Sequence, residues 1–296
     1  MDRIDPDFDY AEFTTRNYGF VNASEQQQLR DASVFVCGVG GMGGAAIQSL
    51  ARIGIGHFVI ADMDVFEVSN LNRQVFATLD SVGTEKTDAT AQAIARINPE
   101  AKVEIFDGNW PGQTDTILAK VDIVLNGMDD IAETVKLYRA CRASGHTIID
   151  AYAASLPSVY VTRAGDATPE ERLQYPTRGK PPETWTEDDL SQAFLRELEY
   201  VMGCSSSRKY IDMQAGAEMA AGERSRMSLA PMVILTGNLM AYEIVNAILG
   251  RKSGASNKGY FFNPFTGRTE RPLFAPVEWL QRAIARRVIA GLMKSA

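Results

Sequence analysis

The segment from Ser33 to Gln74 constrains the fold of this chain more than any other stretch. It begins with an apolar run of β-forming residues, Val34 to Cys37, and a glycine-rich turn follows directly. After the turn, Ala45 to Arg52 has helical spacing, and Phe58 to Ala61 is a second apolar run that ends at Asp62. This order predicts a strand, a tight turn, a crossover helix and a second strand parallel to the first.

The turn after the first strand has the glycine spacing of a dinucleotide-binding fingerprint, with Gly38, Gly40 and Gly43 at its key positions. Glycine lets the backbone approach a ligand closely, and the free N–H groups at a helix N-terminus favour an anion such as phosphate. Asp62 lies near the spacing expected of an acid that binds ribose. Taken alone, these residues favour an NAD-dependent Rossmann oxidoreductase, and a nucleotide-binding module without turnover remains a further interpretation.

Helical and strand patterns alternate downstream of this segment. Helices are predicted at about Lys86 to Ile97, Gln113 to Ala119 and Ala132 to Ser144, and strands at Val103 to Phe106, Val121 to Leu125, His146 to Asp150 and Val159 to Thr162. The alternation predicts an α/β fold with a doubly wound, Rossmann-like parallel sheet. Ligands of such sheets bind beyond the carboxyl ends of the strands, where we expect the glycine turn, Asp62 and Asp129 to converge.

The chain divides into five predicted segments. These are a helical lead-in (1–32), a nucleotide-binding core (33–163), a crossover loop and helix (164–228), a buried helix with late strands that complete the same domain (229–270) and a C-terminal helix (271–296). In the lead-in, Ser24 is the expected cap of a helix over Ala23 to Arg30. Residues 164–189 are rich in Pro, Glu, Asp and Thr, which predicts a long loop or a segment that is disordered until something binds it.

The sequence predicts two helices late in the chain. Leu190 to Met202 has helical spacing, and the stretch from Gly203 to Ser207 is expected to break the helix. In the last helix, from Pro276 to Met293, four apolar residues share one face: Val277, Leu280, Ile284 and Val288. We expect that face to dock on the body of the protein.

Charge and hydropathy exclude some classes of partner. The net charge of −7 and the pI near 5.1 argue against nucleic acid as the main partner, because phosphate binding needs a basic face. Met1 to Tyr10 carries four aspartates and no apolar core, so we expect neither a secretory signal nor an import peptide there. The apolar stretch from Leu229 to Leu249 is interrupted by polar residues, which favours a buried helix over a membrane span.

The three cysteines, Cys37, Cys141 and Cys204, are far apart and odd in number. This pattern suits a reducing compartment better than a disulfide framework, and we expect a cytoplasmic protein. No two of the cysteines have the CxxC spacing of a zinc site. We therefore expect no structural zinc.

A polar cluster after the second strand shifts the interpretation away from a dehydrogenase. It contains the element Asn70-Leu71-Asn72-Arg73-Gln74, followed by Gly83-Thr84-Glu85-Lys86 and, after the fourth strand, by Asp129. In this combination the chain resembles the ThiF/MoeB/HesA superfamily, which includes the ubiquitin-activating enzymes. The resemblance runs from roughly Arg16 to Gly250 and covers most of the chain.

The resemblance implies a ThiF-type fold, in which antiparallel strands extend the parallel sheet, and an adenylyltransferase. Such an enzyme activates a carboxylate with ATP and Mg²⁺, forming an acyl-adenylate and pyrophosphate. The implied carboxylate belongs to a small carrier or ubiquitin-like protein, a peptide or a small molecule. The resemblance also implies a homodimer that shares its active sites.

The resemblance also implies roles for individual residues. Gly41 would pack against the nucleotide, Asp62 would hold the ribose, and Asp129 would coordinate Mg²⁺. The phosphates would be bound by Asn70, Arg73 and Lys86. The remaining expected members of the nucleotide site are Gly38, Gly40, Gly43, Asp64, Ser69 and Asn72.

Three departures from the family pattern affect the expected site. Relatives use an N-terminal arginine of the partner subunit on the triphosphate, and Arg16 is the best match although its neighbours differ. Met128-Asp129-Asp130 replaces the usual Thr-Asp-Asn, which makes Asp130 a second candidate for Mg²⁺. The zinc-binding CxxC pairs of many relatives are missing.

Cys204 is a candidate for covalent chemistry, because several relatives transfer the acyl group to a cysteine in this region. Three serines follow it, and Arg208 and Lys209 could lower the pKa of its thiol. The alternative is a partly buried, inert thiol.

Two cations and one acid distinguish the adenylyltransferase interpretation from the oxidoreductase interpretation. Hydride transfer needs no cation cluster at the phosphate end of the nucleotide, whereas phosphoryl chemistry does. Arg73, Lys86 and Asp129 together therefore favour carboxylate activation.

Overall fold

In the computed structural model, which describes residues 7–106, 108–220 and 223–295, one eight-stranded mixed sheet organises the chain. The strands are β1 (Ser33–Cys37), β2 (His57–Ala61), β3 (Lys102–Phe106), β4 (Ile123–Asn126), β5 (Thr147–Asp150), β6 (Ser158–Thr162), β7 (Tyr260–Asn263) and β8 (Arg268–Glu270). Their spatial order is β3-β2-β1-β4-β5-β6-β7-β8.

Helices cover both faces of the sheet. They are α1 (Tyr10–Thr14), α2 (Ala23–Asp31), α3 (Gly41–Arg52), α4 (Lys86–Ile97), α5 (Thr114–Leu118), α6 (Ile131–Ser144), α7 (Pro169–Leu173), α8 (Glu187–Cys204), α9 (Met213–Ala220), α10 (Ala230–Ile248) and α11 (Ala275–Ser295). The predicted strands and helices of the first 162 residues all exist, with ends that move by at most four residues.

The five strands from β3 to β5 are parallel, and β6, β7 and β8 extend the sheet in antiparallel fashion. The predicted fold class is therefore confirmed. β1 is central, with Val36 paired to Ile60 on one side and to Leu125 on the other. Late strands were predicted between residues 229 and 270, but without bounds for β8, whose three residues, Arg268 to Glu270, are all polar and lie at the sheet edge.

Alternate residues of the central strands enter two cores. Val36 and Ile60 pack with Ile47 of α3 and Met240 of α10 on one face. On the other face, Phe35 and Val59 pack with Trp110 and with Leu137 of α6. α3 and α10 approach closely, because a side chain at Gly237 would lie 2.4 Å from the Met42 carbonyl oxygen.

Two helix boundaries differ from the prediction. Asn22, not Ser24, caps α2: its side chain accepts from the Glu25 N–H while the Glu25 carboxylate accepts from the Asn22 N–H. α8 begins at Glu187, three residues before the predicted start, and it ends at Cys204, within the predicted break. The absence of a side chain at Gly203 lets α11 pack closely there, since a Cβ would lie 3.0 Å from the Arg282 nitrogen.

Residues 164–189 are not the predicted structureless loop. They contain α7, which Thr168 and Glu171 cap reciprocally. The Glu170 carboxylate accepts from Arg139 Nε and Nη2, at 2.9 Å and 2.6 Å. Leu173 is fully buried, and these contacts order a segment whose composition alone suggested disorder.

α11 docks on α8, but through a different face from the predicted one. Leu280, Ile284 and Val288 are 53%, 47% and 36% exposed, so the expected apolar face is turned outward. The docked face is mixed: Ala285 and Ile289 are buried, and Arg286 Nε reaches Glu199 Oε1 at 2.8 Å. Apolar residues other than the predicted ones, together with an ion pair to α8, therefore hold α11 in place.

α10 is the only helix in the described ranges with the length and composition of a possible membrane span. Long apolar helices in the cores of globular proteins pass the same test. In α10, Met240 and Ile244 are fully buried against the sheet, whereas Tyr242 is 71% exposed.

Candidate active site

A cavity of about 520 Å³ lies at the carboxyl ends of the parallel strands. Ten of the predicted site residues line it: Gly38, Gly40, Gly41, Asp62, Asp64, Asn70, Arg73, Lys86, Asp129 and Asp130. Gly43, Ser69, Asn72, Arg16 and Cys204 do not line it. The structure therefore brings together residues that are up to 92 positions apart in sequence, from Gly38 to Asp130.

The glycine turn is shaped by backbone packing. Gly38 has φ +83°, and a side chain there would lie 2.6 Å from the Gly127 carbonyl carbon. A Cβ on Gly43 would lie 1.9 Å from the Gly38 oxygen, and a Cβ on Gly127 would lie 2.4 Å from the same oxygen. These three glycines are required by the contact between the turn after β1 and the end of β4.

The N-terminus of α3 opens beside this turn. The residue before it, Gly40, provides no side-chain cap, and Gly41 is its first residue. Helix N-termini without a cap leave N–H groups unsatisfied and attract anions. Both glycines line the cavity, and a side chain on Gly41 would lie 2.5 Å from Val233 of α10.

Asp62 fixes the end of β2 to the glycine turn. Its carboxylate accepts from the Val39 N–H at 2.8 Å and from the Asp64 N–H at 3.0 Å. Desolvation raises the pKa of Asp62, although nearby Lys86 opposes that effect. Asp62 therefore acts as a strand-end cap in this structure, and its predicted contact with ribose stays a prediction.

Lys86 begins α4 and is held by the loop after β2. Its Nζ lies 2.7 Å from Asp64 Oδ2, and its backbone N–H donates to the Asp64 carbonyl at 2.9 Å. The lysine side chain is only 8% exposed, so its position is defined.

Arg73 is positioned by two residues that do not themselves reach the cavity. Its Nη1 donates to the Ser69 carbonyl at 3.0 Å and to Asn72 Oδ1 at 2.9 Å. Asn72 is anchored in turn, because its Nδ2 donates to the Ser228 carbonyl at 3.2 Å. Ser69 and Asn72, which were predicted as nucleotide contacts, orient the arginine here.

Asn70 and Gln74 are the buried members of the same motif. Asn70 Oδ1 accepts from the Glu67 N–H at 3.1 Å, which closes a turn at Val68–Asn70. Gln74 lines the cavity, and its buried Oε1 has no hydrogen-bond partner within the described residues. No role was predicted for Gln74, although it belongs to the motif.

Asp129 and Asp130 are adjacent but differ in their bonding. Asp130 Oδ1 accepts from the Glu133 N–H at 2.9 Å and thereby caps α6. In the ranges that the structure describes, the Asp129 carboxylate has no hydrogen bond, and its carbonyl accepts from Arg226 Nη2 at 2.8 Å. Asp129 is thus the acid that is available at the cavity, whereas Asp130 is engaged in capping.

No sequence pattern predicted a role for Arg226, because no motif contains it. Its guanidinium lies 5.2 Å from the centre of the Phe194 ring of α8 as well as bonding to the Asp129 carbonyl. It lines the cavity between the predicted metal acid and α8.

Cys204 does not have the activated thiol that its neighbours suggested. It is 7% exposed, and desolvation raises its pKa to about 12, with Glu278 adding to the effect. Of the two interpretations of Cys204, the raised pKa favours the buried, inert thiol over a thiol activated by Arg208 and Lys209. Arg16 is exposed in the turn at Thr15–Asn17, and its action on a partner subunit stays a prediction.

Two buried acids lie at the end of the cavity away from the motif, and sequence patterns gave no signal for either. Asp150 accepts from Asn126 Nδ2, the Ala151 N–H and the Tyr138 hydroxyl. Desolvation, followed by repulsion from Glu197, raises the pKa of Asp150 to about 7. Desolvation also raises the pKa of Glu197 to about 7.

The family follows from a comparison with known sequences. The profile of the ThiF family matches residues 14–277, which is most of the chain. The chain belongs to the ThiF family. This confirms the resemblance, which was inferred from the Asn70-to-Gln74 motif, Lys86 and Asp129.

Two curated relatives of this ThiF-family chain each match less than half of it. The SAMP-activating enzyme E1 of Haloferax volcanii is 35% identical over 130 residues, covering 44% of this chain and 48% of that protein. The sulfur carrier protein ThiS adenylyltransferase of Escherichia coli is 32% identical over 129 residues, covering 43% and 51%. The chain spans about half the length of these curated relatives.

Solved structures extend the likeness in fold to most of the chain. Escherichia coli MccB with ATP covers 84% of this chain and 65% of its own, with a TM-score of 0.60 at 19% identity. The structure of MccB with succinimide covers 90% and 72%, with a TM-score of 0.65. At 19% identity this likeness is evidence of the fold alone.

Proposed function

We propose that this ThiF-family chain is an enzyme that activates a carboxylate with ATP, forming an acyl-adenylate and releasing pyrophosphate. The observation that carries the proposal is the shared cavity, which Arg73, Lys86 and Asp129 line together with the uncapped N-terminus of α3. An NAD-dependent dehydrogenase has no use for this set of charges.

The chemistry explains why the charges are needed. A carboxylate oxygen attacks the α-phosphorus of ATP, a new P–O bond forms, and the bond to the β-phosphate oxygen breaks so that pyrophosphate leaves. Because two anions approach each other, the site must offset negative charge as it builds on phosphorus. Arg73 supplies a planar fork of donors, and Lys86 supplies a compact charge on a flexible stem.

The remaining motif residues would hold the nucleotide. Gly40 and Gly41 present the free end of α3 to a phosphate, and Asp62 would accept from the ribose hydroxyls. Asn70 lies in the same wall, and Gln74 has an unpartnered oxygen there, within the described residues, that can accept a hydrogen bond. A buried polar atom without a partner is costly, so a ligand donor at Gln74 would stabilise the complex.

Magnesium would be held jointly by the protein and the nucleotide. Among the described residues no cluster of three or more His, Cys, Asp or Glu side chains could hold a metal. Mg²⁺ in nucleotide sites is commonly bound by one or two carboxylates together with phosphates, and the unengaged Asp129 carboxylate fits that role. Bound Mg²⁺ would neutralise charge on the phosphates.

We also propose a class of substrate, an assembly and a cellular location for this chain. The relatives named for SAMP and ThiS support a small carrier protein, and a peptide or small molecule are the other candidates. A homodimer is supported by the partly exposed apolar helix α10, and in it Arg16 would act on the triphosphate of the partner subunit. Three buried, free cysteines support a cytoplasmic location.

Exchange of labelled pyrophosphate into ATP in the presence of candidate carboxylates tests the proposal, and ATP binding is measured alongside. We expect exchange in the wild type and its loss in Arg73→Ala and Asp129→Ala. Tight binding of NADH without binding of ATP would contradict the proposal.

A further inference from the structure

The cavity has a second arm that the nucleotide motif does not reach. Asp150, Tyr152 and Glu197 supply its polar lining, and Phe194, Leu198 and Val201 supply apolar lining from α8. Asp129 and Arg226 lie between the two arms, because Arg226 bonds to the Asp129 carbonyl and packs on Phe194. A carboxylate activated near Asp129 would therefore extend the rest of its molecule toward α8.

Glu197 is the polar group of this arm that lacks a complete set of partners. The residue is 8% exposed, and its Oε1 accepts from the Tyr175 hydroxyl at 2.6 Å. Its other oxygen, Oε2, has no hydrogen-bond donor in the described parts of the chain, and Glu197 lines the cavity. By contrast, the Asp150 carboxylate accepts three hydrogen bonds from the protein.

The two cations near Glu197 form no hydrogen bond with it. Arg172 donates from Nη2 to the Tyr152 hydroxyl at 2.9 Å, and its guanidinium lies 4.3 Å from the centre of the Tyr200 ring. Within the described residues its buried Nε and Nη1 have no hydrogen-bond partner, so neither of these atoms compensates Glu197 by a direct contact. Arg226 bonds to the Asp129 carbonyl. Within the described residues neither arginine forms an ion pair with Glu197, and burial outweighs their attraction in setting its pKa.

The walls around Glu197 are rigid. The Tyr152 ring stacks on that of Tyr160, with centroids 4.0 Å apart, and the Tyr200 hydroxyl donates to the Lys258 carbonyl at 2.6 Å. Tyr175, which bonds to Glu197, is itself 3% exposed. The carboxylate is thus held in a preformed site and has little freedom to find a partner by moving.

We propose that Glu197 binds a basic group, an amine or a guanidinium, that the carboxylate substrate carries. A buried carboxylate with one unused oxygen is compensated best by a ligand cation that also donates a hydrogen bond. This inference rests on the proposed function. It narrows the substrate to a peptide or amino-acid-like carboxylate with a basic group.

Two probes test this inference with the full chain and ATP. The first is a set of synthetic tripeptide mixtures with free C-termini, in which one position is fixed as lysine, as its uncharged isostere norleucine, or as glutamate. Pyrophosphate exchange is measured for each mixture. We expect kcat/KM for the best lysine mixture to exceed that of its norleucine match about tenfold, the size of one charge-assisted hydrogen bond.

The second probe needs no turnover. Binding of n-butylammonium chloride is observed by saturation-transfer difference NMR, with n-butanol as its uncharged match. We expect a butylammonium signal with the wild type and its loss in Glu197→Gln, which keeps an acceptor for Tyr175 but removes the charge. The same variant is expected to reduce the lysine preference to about twofold or less.

Glu199→Gln is the matched control. Glu199 is a buried glutamate on the same helix, but Arg196 and Arg286 pair with it and it does not line the cavity. We expect this variant to keep both the signal and the preference.

The outcomes separate this inference from the proposed function. A wild-type preference for norleucine or glutamate, a lysine preference that survives in Glu197→Gln, or the absence of a Glu197-dependent butylammonium signal would overturn the inference. A different result would contradict only the proposed function. In that case the butylammonium signal depends on Glu197 and ATP binds, but no carboxylate supports exchange; the site for a basic group is then retained.

Discussion

The Lys86 ammonium lies 2.7 Å from the Asp64 carboxylate, and the two side chains differ greatly in exposure, at 8% and 68%. The buried lysine is therefore held in place by an acid that solvent can reach. If Lys86 binds the phosphates, Lys86→Ala should lower pyrophosphate exchange by about two orders of magnitude, since it removes a charge from a site of developing negative charge. Asp64→Asn keeps the lysine and should have a much smaller effect on the rate.

Lys102→Ala serves as the control for that experiment, because Lys102 pairs with Glu104 at the surface and does not line the cavity. Equal losses in the Lys86 and Lys102 variants would argue against a phosphate contact.

Substitution of Asn72 tests the orientation of the Arg73 side chain without removing its charge. Arg73→Ala removes the whole side chain, including the charge, and should abolish exchange. Asn72→Ala removes one acceptor for the arginine and its link to Ser228, while the bond to the Ser69 carbonyl stays. We expect a rise of about fivefold to tenfold in KM for ATP, consistent with the loss of a charge-assisted hydrogen bond. Steady-state exchange kinetics measure it, and an unchanged KM would show that Asn72 does not orient the arginine.

Substitutions of the adjacent acids Asp129 and Asp130 should have different effects, one on metal binding and the other on stability. Asp129→Asn should abolish Mg²⁺-dependent exchange with little change in the free energy of unfolding. Asp130→Ala removes the cap of α6 and should cost about 1 kcal/mol of stability while exchange persists. Chemical denaturation and Mg²⁺ titration of exchange measure the two effects. Loss of exchange in a stable Asp130→Ala protein would restore Asp130 as a metal ligand.

Asp150 should make stability depend on pH. Its pKa is raised to about 7 from the ordinary value of 3.8, first by desolvation. As pH rises from about 4 to 7, the unfolded chain loses this proton while the folded chain keeps it, so the free energy of unfolding should fall. Asp150→Asn should remove that fall, which is on the order of a few kcal/mol because each unit of pKa corresponds to about 1.4 kcal/mol.

Urea denaturation of wild type and Asp150→Asn at pH 5 and pH 8 measures this difference. The variant should gain stability relative to wild type at the higher pH. Parallel curves for the two proteins would mean that Asp150 is ionised in the folded state.

Cys204 should behave as an inert thiol. Burial raises its pKa to about 12, so modification by a thiol reagent at pH 8 should be much slower than for an exposed cysteine. We also expect Cys204→Ser to complete the full reaction, not only pyrophosphate exchange. Trapping of a covalent adduct on Cys204 would contradict this and require α8 to open near its end.

Local sequence predicted the elements that form the nucleotide-motif part of the cavity. It did not predict the residues of the second arm. β1 and β2 are runs of β-branched and aromatic residues, and both are almost wholly buried, so their pattern and their environment agree. The motif residues Asn70, Arg73 and Lys86 could be found because their spacing is local and typical of one chemistry. Glu197 could not, since its burial depends on Tyr175 and on contacts among segments far apart in sequence.

α7 and α11 illustrate two further reasons for failure. The composition of residues 164–189 predicted disorder, yet the reciprocal cap of Thr168 and Glu171 and the pairing of Glu170 with Arg139 order α7. In α11 the apolar periodicity was real, but the ion pair between Arg286 and Glu199 belongs to the face that docks. Periodicity identifies an apolar face and does not tell which element covers it.

The contact among Gly38, Gly43 and Gly127 has a mechanical consequence for any reaction in this cavity. It joins the turn at the head of α3 to the loop that carries Asp129, backbone against backbone, with no side chain between them that could yield. The gap between the N-terminus of α3 and the acid is consequently set when the chain folds. Under the proposed function, a substrate would have to fit this fixed gap, and selection among carboxylates would fall to the walls of the second arm.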